Sequence, residues 1–541
     1  MKMRLTDEGI QNRKEWEDKG YSLPGFDREK MKAETKKNPL WVHFGAGNIF
    51  RAFQAAACQK LLNDGVMDRG ITVVEGFDYE IIEKMYRPHD DLSVFVKLKA
   101  DGSIDKTVIG SIGESCILDS DNHKEFNRLK EIFKSESLKL STFTITEKGY
   151  SLIDGKGELI GAVKEDFEKG PEKPASYIGK VAALLYERFA NGAAPIAMVS
   201  MDNCSHNGDK LKEAVKAFAE KWEEKGLADK GFTDYLFTSG KVSFPWSMID
   251  KITPRPDAKV EELLKKDEID GLENVVTSKK TYVAPFVNAE ETEYLVIEDD
   301  FPAGRPEFEK AGFIFTDRET VDKVERMKVC TCLNPLHTAL AVYGCLLGYT
   351  RISDEMQDKT LREMIERIGY KEGLPVVTDP GVLNPRDFID TVVNVRFPNP
   401  FMPDTPQRIA TDTSQKLPIR FGETVKNYKK TGRDMKDLKI IPLVFAGWMR
   451  YLMGLDDEGK EFELSPDPLL DTVCAYVKDV ALDPSDENGA KAMEAIEPLL
   501  HDVNIFGSDL YEVGIADLTK GYFAELISGK GAVRKTLEKY V

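Results

Sequence analysis

A chain of 541 residues is too long for one hydrophobic core, which stops growing at roughly 250 to 300 residues, so two large domains are expected. Its composition, 41% hydrophobic and 31% charged, excludes the disordered and fibrous classes. A formal net charge of −18, with no Lys/Arg-rich run against it, excludes nucleic acid and anionic membrane surfaces as partners but leaves room for a local basic pocket.

The opening "MKMRLTDEGIQNRKEWEDKG" has no apolar stretch for a signal peptide. The longest apolar run, around residues 339 to 348, is too short to span a bilayer, so a cytoplasmic protein is expected. The seven cysteines, at 58, 116, 204, 330, 332, 345 and 474, form an odd and scattered set, as reduced thiols do, not a disulfide framework. Cys330 and Cys332 beside His337 raise zinc, but no second CxxC or HxxxH pair completes four ligands, and no metal is expected.

From about residue 39 to 300, short β-rich apolar runs alternate with amphipathic stretches, the pattern of a parallel sheet covered by helices. The first run, "LWVHF" (40–44), leads through Gly45-Ala46-Gly47 into "IFRAFQAAACQKLLNDG" (49–65). There Phe50, Phe53, Ala57 and Leu61 share a helical face and Gly65 is placed as a C-cap. Strand, Gly-x-Gly and helix in succession form a dinucleotide turn: the first glycine tightens it, the second lets backbone amides approach a pyrophosphate, and the helix N-terminus adds positive potential. The third glycine of GxGxxG is absent; Phe50 stands there and Arg51 follows.

The second run, "GITVVEGF" (70–77), brings Glu75 or Asp78 to the spacing of a ribose 2′-hydroxyl contact, which favours NAD over NADP by repelling a 2′-phosphate. A solvated acid in a strand-end loop is the alternative for either. Further candidate strands are "LSVFVKL" (92–98), "LSTFTIT" (140–146) and "PIAMVSM" (195–201). No Gly-Lys is followed by Ser or Thr, which removes a P-loop, and none of the 18 tyrosines has Lys four residues on, which removes the short-chain dehydrogenase pair.

Open α/β sheets place ligands beyond the carboxyl ends of their strands. There "TITEKGY" brings Glu147 and Lys148, "MDNCSHNG" brings Asp202, Asn203, His206 and Asn207, and "SFPWSMIDKITP" brings Asp250 beside Lys251. Each alone also reads as structure, Asp202 and Asn203 as a turn or cap and Asp250 with Lys251 as a surface pair.

After "EDDFPAGRPEFEKAGFIFTD" (298–317) the texture turns to helical periodicity broken by Pro-rich loops such as "NVRFPNPFMPDTPQR" (394–408). The expected architecture is therefore a Rossmann-type α/β domain with a mainly parallel sheet over residues 1–317, then a mainly α-helical domain over 318–541, with a cleft between them as the default ligand site. The second domain opens with "ERMKVCTCLNPLHTALAVYGCLLGY" (325–349), which sets Lys328, Asn334 and His337 ahead of and within an apolar helix, Asn334-Pro335 reading as its cap and first residue. Lys328 is expected to be partly buried, and burial lowers a lysine's pKa from about 10.4 toward the 7 to 8 that suits a general base.

Seven stretches occur in one order: "HFGAGNIFRAFQA", "TITEKGY", "MDNCSHNG", "SFPWSMIDKITP", "DFPAGRPEFEKAGFIFTD", "ERMKVCTCLNPLHTAL" and "DTSQKLP". Over most of its length the chain thereby resembles the polyol-specific long-chain dehydrogenases and reductases, the mannitol dehydrogenase family. The resemblance implies metal-free, NAD-dependent hydride transfer on a small-molecule sugar acid or polyol. Reduction of D-fructuronate to D-mannonate is the leading expectation, with polyol 2-dehydrogenation or tagaturonate reduction as alternatives.

It also implies Lys328 as general base, Asn203 and Asn334 as the amides that hold the developing alkoxide, His337 as orienter of the hydroxyl, and Glu325 as the group passing protons between Lys328 and solvent. Asp250, Arg408 and Lys416 match substrate contacts, with Asn207 expected beside them; Gly45, Gly47 and Arg51 match the dinucleotide turn, with Glu75, Asp78 and Glu147 expected near the cofactor. Arg408 with Lys416, and Arg396, offer cations for a carboxylate, although polyol enzymes carry similar ones.

One departure matters: the family usually has four residues between lysine and asparagine, and this chain has five, "VCTCL". On a regular helix the extra residue turns the lysine by about 100°, so a bulge or break at Asn334-Pro335 must absorb it, or Lys328 is not the base. Asn334 is also followed by Pro-Leu where the family more often has Gly-Ser. The shifted lysine is the argument for a different class, a non-catalytic NAD- or sugar-binding protein. Oligomeric state is left open.

Overall fold

Six short strands, Trp41–Phe44 (β1), Ile71–Glu75 (β2), Ile112–Ile117 (β3), Leu140–Phe143 (β4), Ile196–Ser200 (β5) and Val242–Ser243 (β6), form an all-parallel sheet in the order β6-β5-β4-β1-β2-β3. The structure is a computed structural model and describes residues 3–541. Every residue of β1, β2, β4 and β5 is buried, as a parallel strand covered on both faces requires. Alternate side chains feed opposite layers. Trp41, Ile71, Val73, Leu140, Ala197 and Val199 join one core, and Val42, Phe44, Val74, Phe143, Ile196 and Met198 join the other. The first core is closed by the helix Ala55–Asn63 (α1); the second by His123–Lys134 (α2), Tyr177–Ala190 (α3) and Asn207–Glu224 (α4). The strand order is that of the doubly wound dinucleotide fold, with its switch point between β1 and β4.

One expected strand lies elsewhere. "LSVFVKL" forms Ser93–Leu98, which pairs antiparallel with Ile104–Ile109 and parallel with Phe286–Glu290 in a separate four-stranded sheet. The third strand of the main sheet is instead "IGESCI", at its edge. An edge strand tolerates the half-buried Glu114 and Ser115 that mask it in the sequence, and its Gly113 is required because a Cβ there would come within 2.5 Å of the Thr35 side chain.

The chain divides into two units, the first of residues up to Leu98 with Ser103–Asp322, the second of Lys99–Gly102 with Lys323–Val541. The division falls inside the helix Arg318–Met327 (α5), five residues beyond the expected 317/318 boundary. The change of sequence texture marks where that helix begins, with Asp317 accepting from the Thr320 N–H at 2.9 Å, whereas the units separate a helical turn later.

The second unit is helical. Asn334–Leu346 (α6) and the wholly buried Ile440–Tyr451 (α7) pack together, the Tyr343 hydroxyl donating to the Leu443 carbonyl at 2.7 Å and its ring lying where a Cβ on Gly447 would intrude to 2.5 Å. Together with Ala516–Leu526 (α8) they form its centre. The helical run Arg318–Leu346, 29 residues, is long and apolar enough to cross a membrane, yet 78% of its most apolar window is buried inside protein, the character of a core helix. Its length exceeds the apolar run read from the sequence because a π turn at Lys328–Cys332 carries α5 on into α6.

The first turn of α7 is satisfied by Glu372, whose carboxylate accepts from the Lys439, Ile440 and Ile441 N–H groups at 2.8, 2.6 and 2.8 Å. Burial nevertheless pushes this carboxyl up to about 7. Because the folded value lies above the unfolded one, the stability linked to Glu372 is fully present below the ordinary glutamate range and is lost as pH rises through 7, in total on the order of 3 kcal/mol. The melting temperature of wild type relative to Glu372→Gln is expected to fall between pH 5 and pH 8; a constant difference across that window in paired thermal melts would rule out the linkage.

Candidate active site

The dinucleotide turn follows β1. Gly45 has φ +107, and a Cβ on it would lie 2.2 Å from the Thr144 carbonyl oxygen, so the turn closes against the end of β4 only with glycine here. Gly47 differs: a Cβ there would meet nothing within 4 Å. The open cradle at Gly47 and the tight one at Gly45 are what close backbone approach to a pyrophosphate requires, so the turn fits a dinucleotide. The Glu75 carboxylate laces the turn to the end of β2, accepting from the Ala46 N–H at 3.0 Å and from the Phe77 and Asp78 N–H groups at 2.8 and 3.0 Å. Asp78 is buried and accepts from the Thr277 hydroxyl at 2.6 Å. Both acids expected at the ribose are thus engaged within the protein, and Phe77 between them stands 65% exposed.

Arg51, expected at the dinucleotide turn, faces inward instead. It is fully buried, donating to the Ala284 carbonyl at 2.7 Å and to the Asn48 side-chain oxygen at 2.8 Å. It lies in the π turn Phe50–Gln54, where helical phase read from the sequence does not apply.

At the ends of β4 and β5 Asp202 joins two loops. Its carboxylate accepts from the Ile145 and Thr146 N–H groups, each at 2.9 Å, and from the Tyr150 hydroxyl, while burial raises its pKa. Asn203, next along, is exposed. Asn207 was expected among the substrate contacts, but it is fully buried and its amide is spent on protein: Nδ2 donates to the Asp202 and Ser247 carbonyls and Oδ1 accepts from the Ser247 N–H. That pins the start of α4 to the strand Ser247–Asp250, whose last residue, Asp250, is buried. His206 stacks on Trp246 with ring centroids 4.1 Å apart. Glu147 is exposed and pairs with Lys210 at 3.0 Å.

In the second unit Lys328 is buried and opens the π turn. The Leu333 N–H donates to the Lys328 carbonyl at 3.1 Å, an i to i+5 bond, before α6 starts at Asn334 and the His337 N–H returns to the Leu333 carbonyl at 3.0 Å. A π turn takes up one more residue than an α turn. The fifth residue of "VCTCL" is therefore absorbed at 328–332, ahead of the expected Asn334-Pro335. Glu325 lies half-buried one turn before Lys328 on α5. The side-chain amide of Asn334 makes no hydrogen bond among the described residues, while its carbonyl accepts from the Thr338 hydroxyl at 2.9 Å.

His337 is the focus of a cation cluster. Its side chain is 13% exposed and its Nε2 lies 3.6 Å from Asp404 Oδ2. Burial first, then Arg420, Arg408, Arg396 and Lys416, hold its pKa down to about 3, so the imidazole is neutral at any physiological pH. Arg408 is exposed and its guanidinium pairs with Asp404 Oδ1; Arg396 is buried. Lys416 donates to the Ile409 carbonyl at 3.1 Å and to the Thr411 carbonyl, and burial together with Arg420 lowers it to about 8. Sequence reading missed Arg420 and Asp404. Each stands four residues from a residue it named, Arg420 from Lys416 and Asp404 from Arg408, a one-turn spacing that Pro418 and the Pro-rich loop disguise.

The family model described as the mannitol dehydrogenase Rossmann domain matches residues 40–310, and that of the mannitol dehydrogenase C-terminal domain matches 320–519. A D-mannonate oxidoreductase of Thermotoga maritima is 52% identical, covering 100% of this chain and 99% of its own. Among solved structures, Pseudomonas fluorescens mannitol 2-dehydrogenase, a ternary complex with NAD and D-mannitol, is 26% identical over 99% of each chain with a TM-score of 0.66. A substrate-free D-sorbitol dehydrogenase, 24% identical over 94% of this chain and 97% of its own, shares the fold with a TM-score of 0.74. A chain that keeps half its residues in common with one relative from end to end, and carries both family domains in order, belongs to the mannitol dehydrogenase family of oxidoreductases.

Proposed function

We propose that the chain is an NAD-dependent oxidoreductase that interconverts D-fructuronate and D-mannonate. The observation that carries this reading is the set of four cations whose charges reach a neutral His337, among them Arg420, which makes no ion pair among the described residues, in a chain of net charge −18. An anionic substrate balances such a cluster, and a polyol does not. The full-length similarity to a D-mannonate oxidoreductase supports the same substrate.

NAD, which Gly45 and Gly47 would hold, would supply the hydride chemistry. The chain's own residues handle the proton and the oxygen. In oxidation Lys328 takes the hydroxyl proton, and in reduction it returns a proton to the keto oxygen. The amide of Asn334 donates to the oxygen as it gains charge, which is worth most where water is excluded, and the family resemblance gives Asn203 the same role. Neutral His337 holds the hydroxyl without competing for the proton, and Glu325, one turn away along the helix, exchanges the Lys328 proton with solvent. The π turn at 328–332 takes up one residue more than an α turn, which supports keeping Lys328 as the base despite the extra residue.

Purified protein with NADH is expected to consume the nicotinamide absorbance with D-fructuronate at a kcat/KM at least roughly tenfold above that for D-tagaturonate or D-fructose, the discrimination a built charge contact supplies. Preference for D-fructose would assign a polyol dehydrogenase, and silence across the panel a binding protein; either sinks the proposal.

A further inference from the structure

The Arg420 guanidinium makes one hydrogen bond, from Nη1 to the Thr338 hydroxyl, and no ion pair among the described residues. It is half-buried, and burial alone lowers its pKa to about 10. A desolvated cation with no anion is costly to keep, and a folded chain normally pairs or removes it. Its neighbours are already engaged: Arg408 with Asp404, Lys416 with two backbone carbonyls. Thr338, wholly buried, holds the guanidinium in place from α6 and at the same time donates to the Asn334 carbonyl. Arg420 is thus anchored through one nitrogen to the helix that bears Asn334 and His337, with its remaining N–H groups uncommitted.

We propose that Arg420, with Lys416 beside it, is the receptor for the substrate's carboxylate and so the residue that makes this site select a sugar acid over the corresponding polyol. The planar fork of an arginine presents two parallel N–H groups to a carboxylate, and the anchor to Thr338 fixes that fork relative to the reacting end of the sugar. This rests on the fructuronate reading but adds a residue and a physical basis to it. An unpaired cation kept for a ligand also predicts that the unliganded protein is no less stable without it.

The test uses the full chain loaded with NADH and two probes that share a carbon skeleton, D-mannonate and D-mannitol, with affinities from isothermal titration calorimetry. Wild type is expected to prefer mannonate, and Arg420→Gln to weaken mannonate by about 30- to 100-fold, the range for a lost charge-assisted contact, while changing mannitol several-fold less. Arg420→Lys should recover some of the loss. The melting temperature of unliganded Arg420→Gln should equal or exceed that of wild type.

Equal losses for both probes, or a mannonate affinity unchanged in Arg420→Gln, would overturn the assignment, as would a fall in kcat with KM for fructuronate unmoved, since that marks a role through Asn334. If fructuronate is not turned over while the mannonate preference still collapses in Arg420→Gln, the proposed reaction falls and the carboxylate receptor stands.

Discussion

Replacing Lys328 by alanine is expected to lower kcat for fructuronate reduction by about 10³-fold, within the 10²- to 10⁴-fold range for a positioned acid or base, while NADH binding stays near wild type. The lysine is buried and opens the π turn that leads to Asn334, so truncation alone leaves a cavity, and two further variants separate chemistry from packing. Lys328→Met keeps most of the volume and removes the proton; Lys328→Arg keeps the charge but cannot release a proton at working pH. Both should be as inactive as the alanine variant, although they pack better. Added methylamine should restore some of the lost rate in Lys328→Ala, because a small amine can occupy the vacated space and carry the proton. Turnover within tenfold of wild type in Lys328→Met would remove the lysine from the mechanism.

The two glycines of the dinucleotide turn should fail in different ways. Gly45→Ala combines a φ of +107 with a Cβ 2.2 Å from the Thr144 carbonyl. The backbone of β1 or of the β4 loop has to move, at a cost of about 2 to 4 kcal/mol, and the melting temperature should fall accordingly. Gly47→Ala meets no atom within 4 Å and should melt with wild type, yet its methyl group stands where a pyrophosphate would approach the backbone. NADH affinity in a fluorescence titration should therefore fall roughly 10- to 100-fold. Wild-type NADH affinity in Gly47→Ala would mean that this turn does not cradle the cofactor; an unchanged melt for Gly45→Ala would mean that the close approach of the β4 loop is relaxed in solution.

Which regions of this protein its sequence discloses follows from the range of the interactions involved. The run from "LWVHF" through Gly45-Ala46-Gly47 to the helix is visible because every determinant is local: apolar strand residues, a glycine that tolerates positive φ, and a helical face of Phe50, Phe53, Ala57 and Leu61. "IGESCI" is not visible, because an edge strand has lost the apolar alternation that would announce it. The acids Glu75 and Asp78 can be found by spacing, but their engagement by the Ala46 N–H and the Thr277 hydroxyl cannot, since Thr277 lies 199 residues from Asp78 in the chain.

π turns account for other differences. Arg51, Lys328, Arg396 and Arg420 each sit in one. Periodicity of 3.6 residues assigns them a direction that a single i to i+5 turn rotates, so Arg51 goes inward, and the residue added between Lys328 and Asn334 falls within such a turn.

Taken alone, the amino-acid order determined the two-domain division, the parallel dinucleotide-binding sheet and the polar residue types clustered at "KVCTCLNPLH", because strand burial, turn chemistry and helix phase are set by neighbours a few positions away. Only the tertiary structure decided which polar groups are spent and which are available. Asn207 and Arg51 are consumed by carbonyls from distant strands and loops, whereas Arg420 is left with one hydroxyl partner. A side chain's donors are allotted by whatever the fold brings within about 3 Å of them, and that allotment is a property of the packed chain.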